Sequence, residues 1–164
     1  PPKFFLDKLE TTAANRTEIS KLRNKALAEL QKLYDKQANK MFLVAKVVDA
    51  NSTQYTKNTP NDIIYENMDN YVNGLGVDRD KKKSAQTFLD AARLDMETLK
   101  LKAIVKDATQ YRMITPKSDG MIYDLESGTA LGRTPSDVVA FLKNPLNEEV
   151  MMKLMSNVEG MWNS

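Results

Sequence analysis

The sequence predicts a mainly α protein: an elongated helical bundle with two long helices, several short helices and one small β-hairpin. Three observations carry this expectation. Apolar residues recur at steps of three and four through two long stretches, which is the period of one helix face. Thr-Pro, Gly and Asn-Pro stand where helices open and close. Strand-like composition is confined to one short run near residue 122.

The first long helix is read over about residues 17–49, which contain neither Pro nor Gly. Ile19, Leu22, Ala26, Leu30, Leu33, Met41, Val44 and Val48 form its stripe, with polar Gln37 in the gap. Leu27, Tyr34, Met41 and Val48 make a second row at seven-residue spacing, which permits coiled-coil pairing. At 1.5 Å per residue such a helix is about 50 Å long, more than the diameter of about 40 Å of a compact globule of this size. Residues 3–14 read as a shorter amphipathic piece carrying Phe4, Phe5 and Leu9, with Asn15 or Thr17 as a cap before the long helix.

Residues 50–59 form a polar linker, the best candidate for a mobile loop. Thr59-Pro60-Asn61-Asp62 then opens a helix, with Thr59 capping, Pro60 first in the helix and Asp62 in its positive first turn. Ile63, Ile64, Met68, Tyr71 and Val72 give that helix its apolar face, and Gly74 and Gly76 end it. The second long helix is read from Asp78 to about Met113, with Ala85, Phe88, Ala92, Met96, Leu99 and Ala103 in one stripe and Leu94, Leu101, Ile104, Val105 and Ala108 beside it. A helix apolar on two sides belongs at the centre of a bundle. Pro116 closes it.

Met121-Ile122-Tyr123 and Thr129-Ala130-Leu131, with turns at Asp119-Gly120 and Ser127-Gly128, read as the hairpin. Such a hairpin is marginal alone and needs helices to pack on. Thr134-Pro135-Ser136-Asp137 repeats the earlier capping pattern before Val138, Val139, Phe141 and Leu142. Asn144-Pro145 breaks that helix, and an amphipathic, Met-rich segment runs from Val150 to Trp162. The chain therefore divides into a long-helix bundle over residues 1–116 and a hairpin with short helices over 117–164, packed on the same core.

Composition narrows the chemistry. The 164 residues include no Cys and no His, which excludes disulfides, thiolate metal sites, cysteine nucleophiles and imidazole acid–base work. Ser136 and Ser156 have no histidine to pair with. Gly74-Leu75-Gly76 lacks the spacing and the preceding strand of a phosphate loop. The string from Asp119 lacks the alternating ligands of a calcium loop. No carboxylate pair reads as an oriented acid–base couple. No catalytic residue, cofactor or metal is expected, and no apolar run is long enough to span a bilayer.

Charge is uneven along the chain. Residues 1–50 carry ten basic and six acidic side chains, while residues 117–164 carry four and seven. Such a gradient suits head-to-tail association or steering of a partner. The densest basic cluster is Arg79, Lys81, Lys82 and Lys83. With the basic N-terminal third, it makes a nucleic-acid-binding accessory protein the alternative reading.

The segment Pro135-Ser136-Asp137-Val138-Val139-Ala140-Phe141-Leu142-Lys143-Asn144-Pro145-Leu146-Asn147-Glu148 is a helix cap followed by an Asn-Pro break. It resembles a stretch in the filament proteins of bacterial type III secretion systems, which are also helical and lack Cys. The likeness is confined to that segment and carries no residue roles with it. The functional expectation rests on the residues instead: a non-enzymatic structural or assembly subunit, such as a virion or secretion-apparatus component, that binds other protein chains through helical interfaces. Met151, Met155, Met161 and Trp162 on the adaptable last helix, with Leu27 and Tyr34 on the first, are the expected partner-binding residues.

Overall fold

The computed structural model describes residues 2–75 and 81–164, with side chains from residue 13 and, after the gap, from residue 83. The chain is mostly helical, with one small antiparallel sheet of three strands. The helices are α1 (Pro2–Lys36), α2 (Ala38–Val48), α3 (Asn61–Val72), α4 (Lys81–Ala92), α5 (Met96–Gln110), α6 (Pro135–Lys143) and α7 (Glu148–Trp162). The strands are β1 (Ile114–Pro116), β2 (Ile122–Asp124) and β3 (Ala130–Gly132). None of the described helices is long and apolar enough to cross a membrane.

Both stretches expected to be single long helices are divided. Residues 3–14 run continuously into α1, but the helix expected over 17–49 changes direction at Gln37, whose backbone leaves the helical region at φ −140° and ψ 59°. The i→i−4 hydrogen bonds persist across that residue, from Gln37 N–H to Leu33 C=O and from Met41 N–H to Gln37 C=O. The apolar residues of α1 from Leu22 to Tyr34 and those of α2 both stay in or against the core. The helix expected over 78–113 is α4 and α5, separated by a turn at Arg93-Leu94-Asp95. Asp95 accepts from the Thr98 backbone N–H at 3.0 Å and restarts the helix as a side-chain cap. The apolar residues Leu94 and Met96 on either side of Asp95 concealed this cap in the sequence.

Residues 50–59 are not free of the body. Ser52–Gln54 form a 3-10 turn, and Ser52 and Tyr55 are buried beneath it. Thr59 is not the cap of α3 either. Pro60 occupies that position, and the Thr59 hydroxyl accepts from the Thr56 N–H at 2.9 Å. Thr134 does cap α6, accepting from the Asp137 N–H at 3.2 Å. Gly74 ends α3 in the left-handed conformation, with Leu75 N–H reaching back to Asn70 C=O. Gly76, Asp78 and Arg79 lie outside the described residues.

The expected hairpin is the β2–β3 pair, and a third strand is added by β1, which pairs with β2 in the register Ile114 opposite Asp124. β1 follows directly from α5 because Arg112 takes a positive φ of 59°. Arg112 N–H then bonds Thr109 C=O and Met113 N–H bonds Ala108 C=O, the paired bonds of a Schellman helix stop. At the far end of the sheet Gly132 lets α6 approach closely: a Cβ there would stand 2.6 Å from the Asp137 Cβ.

One apolar cluster joins these elements. It includes Leu30 and Leu33 of α1, Met41 and Val44 of α2, Met68 of α3, Phe88 of α4, Leu99 and Ile104 of α5, Leu131 of β3, Leu142 of α6 and Leu154, Val158 and Trp162 of α7. α5 faces α2 on one side and α6 and α7 on another, which accounts for its two apolar sides.

Candidate functional site

Two features have the density of polar or apolar groups that a site requires: a buried charge network at the end of α7, and an open groove along α5, α6 and α7.

The network is built on Asp107 of α5. Its carboxylate accepts from Lys46 Nζ (2.6 Å), from the Ser52 hydroxyl (2.5 Å) and from the Trp162 indole N–H (2.6 Å). Lys46 and Asp107 are both fully buried. The ammonium group of Lys46 also donates to Ser52 C=O at 2.9 Å and lies 5.4 Å from the Phe42 ring centroid and 5.1 Å from that of Trp162. Those two rings meet edge-on at 5.4 Å. From the other side Lys57 places its Nζ 4.5 Å from the Phe42 centroid, and its N–H bonds Trp162 C=O at 2.8 Å.

Beside it Asp49 accepts from the Tyr55 hydroxyl at 2.6 Å and from Gln54 at 3.1 Å. Lys106 Nζ donates to the carbonyls of Val47 and Asp49 at the end of α2, a favourable place for a cation. Burial pushes the Lys46 and Lys106 ammonium groups below their ordinary range, partly offset by Asp107 for Lys46 and by Asp49 for Lys106.

No buried side-chain polar atom among the described residues lacks a hydrogen-bond partner. With its donors and acceptors engaged internally, the network is suited to fastening α2, the 3-10 turn, α5 and α7 together. It leaves no group aimed at a substrate.

The groove is of a different kind. It has a volume of about 330 Å³, and its apolar lining residues include Leu101, Leu142, Met151 and Met155. Glu97, Lys100, Lys143 and Glu148 stand among its polar lining residues. Lys100 is held by Glu159 at 2.8 Å, and Lys143 by the Thr98 hydroxyl at 2.6 Å. The turn between α6 and α7 forms one end. There the Asn144 side chain accepts from the Leu146 N–H at 3.0 Å, and Asn147 donates to Phe141 C=O at 2.9 Å. The turn so fixed leaves Leu146 91% exposed. On α7, Met152 is 56% and Met161 43% exposed.

The residues expected to bind partners are thus separated. Met151 and Met155 line the groove together, and Met161 is exposed further along α7. Trp162 is 1% exposed and belongs to the buried network. Leu27 and Tyr34 are half-buried against the core. Tyr34 stacks edge-on with Tyr65 at 5.2 Å, and its hydroxyl donates to Asp62 in a shallow cleft between α1 and α3. That carboxylate raises the Tyr34 phenol above its ordinary range.

Of the basic cluster, Lys83 is exposed; Arg79 and the side chains of Lys81 and Lys82 lie outside the described residues. Sequence reasoning missed Lys46, Ser52 and Asp107. A signal for the first exists: Lys46 is the one charged residue in Met41–Val48, an otherwise apolar run.

Comparison with protein-family models, with curated proteins and with solved structures gives no match to this chain.

Proposed function

We propose that the protein is a non-enzymatic structural subunit of a larger assembly, an elongated helical bundle that joins other protein chains through helical faces. The observation that carries this reading is the groove of α5, α6 and α7, with Leu146 held out at its end by the Asn144 turn. A groove that combines apolar and charged lining residues has the composition of a protein interface. Methionines there adapt to an inserted side chain or helix. A leucine fixed in solvent by a hydrogen-bonded turn has no role in the fold of its own chain. The length of α1, 35 residues and so about 52 Å, supports the elongated shape.

The test is Leu146→Asp, at a side chain that is 91% exposed. Sedimentation velocity of the purified chain, with pull-down from the native source alongside, is expected to give an oligomer or a bound protein that the variant loses. A monomer at every concentration, together with no partner sensitive to Leu146→Asp, overturns the reading.

A further inference from the structure

We propose that α1 carries a binding surface for the phosphate backbone of duplex nucleic acid, formed by Lys21, Lys25, Lys32 and Lys36. All four are exposed. At 100° per residue they fall within about 60° of arc, in a row about 22 Å long. Ala26, Leu30 and Leu33, on the opposite side of the same helix, are fully buried, so the row is anchored to the core and faces outward. Among the described residues none of the four lysines has an ion-pair partner, and the acids on or beside the same face are Glu18, Glu29 and Asp35, so the row keeps a smaller excess of positive charge.

The composition of the row selects its partner. A protein interface has an apolar centre, and the one apolar residue beside these lysines on that face is Ala28. A helix that enters a membrane surface offers an exposed apolar face, and beside these lysines the apolar residues Leu22, Ala26, Leu27, Leu30 and Leu33 are spent on the core. What remains is a partner whose negative charge is dense and continuous. Duplex nucleic acid carries about one charge per 1.7 Å of axis and is bound by point charges that release its counterions. Lysines contribute position and affinity there without reading bases. The surface is therefore indifferent to sequence, and it is separate from the groove of α5, α6 and α7.

The experiment is fluorescence anisotropy of the full chain with labelled 20-bp DNA duplexes of two unrelated sequences. Four phosphate contacts predict equal affinity for both and a log–log salt slope of about −3.6. The variant Lys21→Ala/Lys25→Ala/Lys32→Ala/Lys36→Ala keeps good helix formers on an exposed face. Circular dichroism is expected to match the parent, and duplex affinity at ~50 mM salt to fall at least about tenfold, with most of the slope lost. A second variant, Arg93→Ala/Lys102→Ala/Lys117→Ala/Lys153→Ala, removes the same charge outside the groove and is expected to bind within about threefold of the parent. The proposal is overturned if the parent fails to bind duplex at low salt, or if both variants weaken binding equally. Binding to phosphatidylserine vesicles in place of duplex overturns it as well.

Discussion

Asp107 shows how much a single carboxylate can hold. It joins Lys46, Ser52 and Trp162 from three separate segments without reaching solvent. Removing one partner of a buried pair strands the other charge, at about 3–5 kcal/mol. Asp107→Asn is therefore expected to destabilise the protein by that order in urea unfolding. Adding Lys46→Met removes the stranded ammonium group and is expected to recover part of the loss. A double variant less stable than Asp107→Asn alone would refute this account.

Three exposed carboxylates give the pH dependence its sign. Asp95 is held below its ordinary range by the Thr98 N–H, Asp119 by the Tyr123 hydroxyl and Met121 N–H, and Glu126 by Lys153 and Asn157. Their folded pKa values lie below the unfolded ones, so the stability they contribute is complete above about pH 4–5. It is lost as pH falls through the lowered values. Thermal unfolding between pH 2 and 6 is expected to show the fall, with a smaller one in Asp119→Asn.

At the scale of elements, the stops and starts of helices decide the architecture. Arg112 occupies a left-handed position that costs a side-chain-bearing residue about 1–2 kcal/mol. Arg112→Gly is expected to raise stability by up to about 1 kcal/mol in denaturant titration. Gly132→Ala has the opposite expectation. The added methyl meets Asp137 at the start of α6, and the overpacking costs about 1–3 kcal/mol, read as a lower Tm. Helical periodicity revealed most of the buried residues: the stripe from Ala26 to Val44 is in the core, and so is that from Ala85 to Ala103 except Met96, which is 47% exposed where α5 restarts. It did not reveal where each helix ends, because the breaks at Gln37 and at Arg93-Leu94-Asp95 interrupt direction and leave the apolar faces inside. The Asp95–Thr98 cap was the available signal for one of them. The other rests on a backbone angle at a residue with ordinary helix chemistry. The groove was legible only as a preference for Met, since one of its walls is α5, which sequence order does not juxtapose with α6 and α7.

Across the whole molecule, one apolar cluster links α1 with α7. Unfolding is accordingly expected to be a single transition, with calorimetric and van't Hoff enthalpies in agreement. A separate, earlier transition for residues 117–164 would contradict it. Charge and apolar surface are divided between faces: the lysine row lies on α1, and Leu146 and the methionines are on the turn and helix near the C-terminal end. On the two readings proposed above, these are separate surfaces for a polyanion and for a protein neighbour. The chain has one tryptophan, and it lies in the closure between α7 and the rest of the core, within reach of two ammonium groups and the Phe42 ring. The molecule thus contains its own optical gauge: indole emission reports the seating of the last helix, unmixed with signal from any other tryptophan.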